Sequence, residues 1–489
     1  MDDLNICLIN DSFPPMIDGV ANAVTNYARI ITREHGRAAV VTPYYPDADD
    51  GAYPFPVFRY PSLDMTKLVG YRAGMPFSAE LMQKLKEQRF DLIHSHCPVT
   101  STMLARALRE QIRVPLVFTY HTKFDIDIAN VVRSKLLQEE AARLLVANVA
   151  ACDEVWTVSR GAGENLEKLG YHGEWLVMPN GVDFPRGRVD ETLSAGIGAG
   201  LDLPAETPLF LFVGRMMWYK GIRIILDALK ALRESGKDFR MVFVGGGGDK
   251  DEIVDCCASL GLSDRVFFVP PIHDREAIRA WYCRADLFLF PSTFDTNGLV
   301  VREAAACALP SVLVRGSCAA EDVTDGVNGF LIEENAASMA AVLRELLAGR
   351  EIMKRVGEYA QRELYISWEE SVAGAWERYR VVLDRYRSGA YPEHDSFSDD
   401  MFRATAQAID SYNRAHARQL ELRRELESER RALRQELQSG REELLRSLKD
   451  SGQGLLQDMK DSSRELLSGA QEKRRQVLES LEEYYDRFM

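Results

Sequence analysis

Two acids, Asp295 and Glu303, are separated by seven residues in the segment Phe294-Asp295-Thr296-Asn297-Gly298-Leu299-Val300-Val301-Arg302-Glu303-Ala304. The segment follows an apolar stretch ending at Phe290-Pro291-Ser292 and runs into helix-favouring sequence. A turn that feeds a helix N-terminus presents free backbone amides, which suit phosphate oxygens. Gly298 lets the backbone approach a ligand closely, and the flanking carboxylates can accept hydrogen bonds from sugar or ribose hydroxyls. An ordinary strand-turn-helix also favours acids near its helix start, so this segment alone leaves both readings open.

Three further segments carry comparable chemistry. Val213-Gly214-Arg215 is followed five residues later by Lys220-Gly221, again between strand-like and helix-like sequence. Arg as a fork and Lys as a point charge can neutralise a diphosphate and stabilise it as a leaving group. Phe13 to Val20, with Gly19 near its end, is a loop entering a helix and could face the same phosphates. His121, in Thr119-Tyr120-His121-Thr122, ends a buried strand, where a lone histidine is either structural or catalytic. Two other signals are weaker. Asp125-Ile126-Asp127 spells a metal-nucleotide DxD without the surroundings such a site needs. The run Gly245-Gly246-Gly247-Gly248 fails the dinucleotide spacing because Lys250 takes the last glycine's place.

These segments require strands that end where they begin. Short apolar stretches at 4–9, 38–42, 57–60, 90–94, 114–120 and 154–159 alternate with amphipathic segments at 19–31, 101–110 and 134–151. The alternation pauses over 184–206, which is rich in turn formers, then restarts with strands at 209–213, 240–244, 266–269, 287–290 and 311–314. Such alternation predicts two α/β, doubly wound Rossmann-like domains facing across a cleft. The expected divisions are 1–183, a linker 184–206, a second domain 207–370, a closing helix 371–388, a linker 389–400 and a helical tail 401–489.

The tail repeats every eleven residues, starting at Leu422, Leu433, Leu444, Leu455, Leu466 and Val477. That period suits a nearly straight coiled coil, a helix lying on a lipid surface, or a solvated helix. From Leu422 onward, 14 Lys/Arg face 15 Asp/Glu, so no basic excess draws the tail to anionic lipid. The formal net charge of -14 argues against nucleic acid as a partner. The N-terminus shows no signal-peptide pattern, and no apolar run is long enough to span a bilayer. The eight cysteines include no CxxC pair and suggest a reduced, cytoplasmic protein.

Taken together, the motifs resemble the retaining glycosyltransferases of family 4, which have the GT-B fold. His94-Ser95-His96, Thr157-Val158-Ser159, Pro179-Asn180-Gly181-Val182-Asp183 and Gly326-Val327-Asn328-Gly329-Phe330 extend the resemblance over about residues 4–385. The resemblance implies that Arg215 and Lys220 hold the donor pyrophosphate and that Glu303 binds the ribose. It implies that Asp295 contacts the transferred sugar, with the turn Asn297, Gly298, Leu299 and Val300 facing the phosphates. Gly19 matches the phosphate-side loop of the first domain, and His121 matches an active-site histidine. Two departures stand out: Asp295 where Glu is usual, and Asn297-Gly298 where Phe-Gly is usual.

The resemblance further implies a UDP-sugar donor, glucose first among the hexoses, with no metal and no cofactor beyond that donor. The stretch 294–319 is similar to bacterial members that glucosylate diacylglycerol, so a lipid or glycan acceptor at the inner face of the plasma membrane is expected. Self-association through 422–489 is the leading expectation for the tail, with peripheral membrane contact second. The rival readings are a non-catalytic oligomeric scaffold, supported by the Asp295 departure, and a phosphorylase-like glycan enzyme.

Overall fold

The computed structural model describes residues 4–16, 18–64, 72–75, 79–124, 128 and 134–392, and in the tail 418, 424, 426–443, 445, 463 and 466–476. The chain forms two compact units, 1–410 and 411–489.

The first sheet is built from β1 (Asn5–Ile9), β2 (Arg37–Pro43) and β3 (Val57–Tyr60), with β4 (Ser62–Asp64) and β5 (Arg72–Gly74) as a separate antiparallel pair. It continues through β6 (Leu92–Ser95), β7 (Leu116–Tyr120), β8 (Glu154–Thr157) and β9 (Leu176–Val177). Its order is β3-β2-β1-β6-β7-β8-β9, and every pairing is parallel. The helices of this half are α1 (Gly19–Ile30), α2 (Ala79–Glu87), α3 (Thr100–Ile112), α4 (Lys135–Ala150) and α5 (Arg160–Lys168). A π-helical turn, Ile31–His35, extends α1. Strands β1, β6, β7 and β8 are buried along their whole length, as a sheet covered on both faces requires.

The expected linker is not purely irregular, since α6 (Glu191–Gly196) lies inside it, entered through the side chain of Asp190. Its turn-rich composition hides a six-residue helix that needs only one good cap to form. The second sheet then runs β12 (Val266–Val269), β11 (Arg240–Val244), β10 (Leu209–Val213), β13 (Leu287–Phe290), β14 (Ser311–Val314) and β15 (Phe330–Ile332), in that spatial order. All its pairings are parallel. Its helices are α7 (Ile222–Glu234), α8 (Lys250–Ser259), α9 (Arg275–Arg284), α10 (Leu299–Ala306), α11 (Ala336–Leu346) and α12 (Arg350–Glu363). Strand order reverses between β1 and β6 in one sheet and between β10 and β13 in the other. Such reversals open a crevice at the carboxyl ends of the strands.

The last helix of this unit, α13 (Trp368–Arg387), starts with a capping box of Ser367 and Glu370. It does not stay with the second sheet. Trp368, Val372, Trp376, Tyr379 and Val382 pack with Leu4, Ile6, Leu8, Tyr27 and Trp156 in the core of the first half. The chain therefore crosses between the halves twice, and Val182 bridges to Ser367 where the two crossings meet.

In the tail, 426–443 is helical, and its glycine at 440 does not interrupt it; 466–476 is helical too. Leu437, Leu466 and Leu467 are exposed in the single chain. The repeat positions Leu422, Leu444, Leu455 and Val477 lie outside the described residues, as does the DxD at 125–127. No described helix is long and apolar enough to cross a membrane.

Candidate active site

The carboxyl ends of the two sheets meet. Ser159, after β8, donates its hydroxyl to the Thr296 carbonyl at 2.5 Å. The Glu321 carboxylate, after β14, accepts the backbone N–H of Arg160 at 2.7 Å and that of Gly161. The segments following β8, β13 and β14 thus line one interdomain crevice.

On the second half, two loops converge. Lys220 closes a 3-10 turn, Trp218–Lys220, just before α7. Its ammonium donates to both carboxylate oxygens of Asp295 at 2.7 Å each. The Ser292 hydroxyl also donates to Asp295, at 2.6 Å. Lys220 is buried, so solvent screens this pair less than it screens a surface ion pair. Arg215 is exposed and makes no ion pair with any described residue. Its guanidinium lies 5.9 Å from the centre of the Tyr219 ring, and the Lys220 ammonium lies 5.6 Å from the same centre. Both cations therefore lie close to one aromatic ring, with Arg215 free for an anion.

Two helices reach this place with uncapped N-termini. Gly221 enters α7 and Gly298 enters α10, each in the left-handed region (φ of 76° and 57°), and neither helix has a side-chain cap. A Cβ at Gly221 would sit 2.3 Å from the Pro291 carbonyl oxygen, and one at Gly298 would sit 2.8 Å from the Ala319 Cβ. Only glycine fits either turn, and the amides of Leu299 and Val300 are left at a helix start whose dipole favours an anion.

Glu303 lies one turn into α10. Its carboxylate accepts from Arg275 at 2.8 Å and from the Tyr282 hydroxyl at 3.0 Å. Burial raises its pKa, and the Arg275 charge opposes that rise. Arg275 also lies 3.6 Å from Asp183, which accepts from Asn22 and Asn26 of α1 at 3.2 Å each. Asn297 is buried, and neither polar atom of its side chain has a partner among the described residues. It lines an interdomain cavity of about 200 Å³ with Ser159, Arg160, Gly298 and Glu321.

On the first half, His121 directly follows β7. Its Nε2 is 2.9 Å from His96 Nδ1, and its Nδ1 is buried with no partner among the described residues. His94 joins Tyr379 of α13 at 2.6 Å and Thr119 at 2.7 Å. Burial holds the His121 imidazole neutral, with its pKa pushed down to about 3, and drives His94 and His96 well below the usual histidine range. Gly19 opens α1, capped by Asp18, and a Cβ there would meet nothing within 4 Å.

The structure thus joins Lys220 directly to Asp295. It sets Arg215 beside them, and carries Asn297, Gly298, Leu299, Val300 and Glu303 on one turn and its helix. His121 and Gly19 stand on the first half and form no hydrogen bond to Asp295 or Lys220. Sequence reasoning gave no role to Ser292, Arg275, Tyr282, Asp183, His96 and Tyr379, although Ser292, Asp183 and His96 stand in the motifs quoted above. One signal was readable: Asn22 and Asn26 sit four residues apart, on one face of a helix. The rest depends on pairings between distant segments.

Residues 17–186 match the family described as Glycosyltransferase Family 4, and residues 199–363 match Glycosyl transferases group 1. A D-inositol 3-phosphate glycosyltransferase of Nocardia farcinica is 30% identical over 332 residues, covering 63% of this chain and 71% of that protein. The alpha-monoglucosyldiacylglycerol synthase of Acholeplasma laidlawii is 24% identical over 348 residues, covering 68% and 85%. Among solved structures, sucrose-phosphate synthase of Thermosynechococcus elongatus aligns with a TM-score of 0.62 at 22% identity, over 78% of this chain and 99% of that one. Anabaena HepE in complex with UDP-glucose aligns with a TM-score of 0.58 at 21% identity, over 77% and 100%.

Proposed function

Because the chain belongs to the family 4 glycosyltransferases and is a GT-B hexosyltransferase drawing on a nucleotide sugar, we propose that its donor is UDP-glucose and that it glucosylates a lipid of the diacylglycerol class, or a glycan, with retention. The Lys220–Asp295 pair beside the uncapped turn at Gly298 carries this reading. Lys220 has three N–H donors, so it can hold Asp295 and a phosphate oxygen together. Asp295 then faces the sugar attached to that phosphate.

In the proposed reaction an acceptor hydroxyl attacks the anomeric carbon on the face from which the diphosphate leaves. The C–O bond to phosphate breaks, the glycosidic C–O bond forms, and the acceptor proton passes to the departing phosphate oxygen. Arg215, Lys220 and the helix amides stabilise the charge that gathers on the leaving group, a task a metal performs elsewhere. Turnover should therefore persist in EDTA. The lipid arm draws on the likeness to a monoglucosyldiacylglycerol synthase, and the UDP-glucose arm on the likeness to a fold that holds it.

The test is a panel of nucleotide sugars incubated with membrane lipid extract, with mass analysis of the products. Glucosylated lipid from UDP-glucose, lost in Arg215→Ala and Glu303→Gln, is the expected result. Full activity in both variants, or turnover that requires inorganic phosphate, would sink the assignment. The tail at 422–489 is proposed to self-associate through its leucine stripe, with peripheral contact at the inner membrane face as the second reading. Sedimentation of the full chain as a monomer would remove that part.

A further inference from the structure

We propose that Arg275 is a positioning residue for the donor ribose: it orients the Glu303 carboxylate and, through Asp183, braces that seat against α1 of the other half. The inference rests on the donor reading above.

A carboxylate offers about four lone-pair sites on two oxygens. Arg275 fills one on Oε1 at 2.8 Å, and Tyr282 fills one on Oε2 at 3.0 Å. One site remains free on each oxygen, which matches the two adjacent hydroxyls of a ribose. The guanidinium is itself held, because it lies 4.5 Å over the ring of the buried Phe184. It also approaches Asp183 at 3.6 Å, and Asp183 accepts from Asn22 and Asn26 on α1. The N-terminus of that helix is Gly19, on the loop expected to face the donor phosphates.

The Glu303 side chain is only 14% exposed, so its charge needs a counter-ion. The ionisable groups around it are Arg275 and Tyr282 from α9, Asp183 from the crossing segment, and Cys307 just beyond its own helix. Arg275 is the one cation among them. Removing it raises the pKa of Glu303, so at a given pH more of the carboxyl is protonated and fewer acceptor sites remain for ribose.

The experiment measures binding of UDP and of 2′-deoxy-UDP to the full chain by calorimetry between pH 6 and pH 8. It compares wild type, Arg275→Gln, Arg275→Lys and Glu303→Gln. The wild type should favour UDP by roughly tenfold, the scale of one lost hydrogen bond to a charged group. R275Q should lose most of that preference and recover part of it as pH rises, and R275K should recover more than R275Q at every pH. A purely structural role would weaken both nucleotides alike and leave their ratio unchanged. If E303Q loses the preference while R275Q keeps it with an unchanged pH profile, the inference is overturned and the donor reading stands. If the wild type binds UDP and 2′-deoxy-UDP equally, or binds neither, the ribose seat itself is misassigned and the inference falls with it.

Discussion

Lys220 and Asp295 hold each other through both carboxylate oxygens, and this pairing makes the site's chemistry more demanding than either residue alone suggests. Replacing Lys220 by Met leaves a half-enclosed carboxylate without its cation and removes the proposed phosphate contact. UDP release from UDP-glucose should fall by at least about 100-fold, with a lower melting temperature. Asp295→Asn should keep more of the stability, because the amide can still accept from Lys220. Steady-state assays beside urea denaturation check both, and an unchanged kcat in Lys220→Met would remove Lys220 from the mechanism. The histidines make a different prediction. His94, His96 and His121 are neutral in the fold but regain a pKa of about 6.5 when unfolded. Below that pH the unfolded chain binds more protons, so stability falls on acidification until the folded-state pKa is reached, about 3 for His121. Melting temperatures should drop between pH 7.5 and pH 5.5. His121→Gln should flatten the slope by the share of one proton, about 1.4 kcal/mol per pH unit well below 6.5. A slope equal to that of wild type would contradict a neutral buried His121.

At the scale of elements, the site depends on two helices that start without a side-chain cap. Six described α-helices of this unit start with a side-chain cap, among them α1 with Asp18, α9 with Asp274 and α13 with Ser367. Helices α7 and α10 instead begin at left-handed glycines, with no side-chain cap on their first amides. Gly298→Ala should cost about 1–2 kcal/mol from the left-handed geometry alone. The contact with Ala319 adds to that and pushes the turn outward. The expected signature is a loss of UDP affinity larger than the loss of stability explains, read by calorimetry beside thermal melts. The glycine and the acids of this turn were legible in the sequence because turn chemistry is local. The Ser292 hydroxyl was not, because nothing in its neighbours says that its side chain turns back onto Asp295.

At the scale of the whole molecule, α13 is the element that the linear order hides. It is encoded after the second sheet, yet it fills the core of the first, and the Tyr379 hydroxyl meets His94 there. Trp376→Ala should cost about 3–5 kcal/mol and destabilise the first half, although the residue follows the second sheet in the chain. Fluorescence from a reporter placed near β1 would show it; unfolding confined to the second half would refute the packing.

Alternation of buried strands with helices, the glycine turns at their carboxyl ends and the eleven-residue period of the tail were all determined by the sequence itself. Each is a local property, expressed within a few turns of chain through side-chain period and backbone steric limits. Partner choice was decided only by the tertiary structure. Lys220 and Asp295 are 75 residues apart, Arg275 and Glu303 are 28 apart, and Asn22 and Asp183 are 161 apart. Which charge meets which depends on sheet order and on where the chain crosses between the halves. No short window contains that information, because long-range contacts exist only once the whole chain has closed on itself.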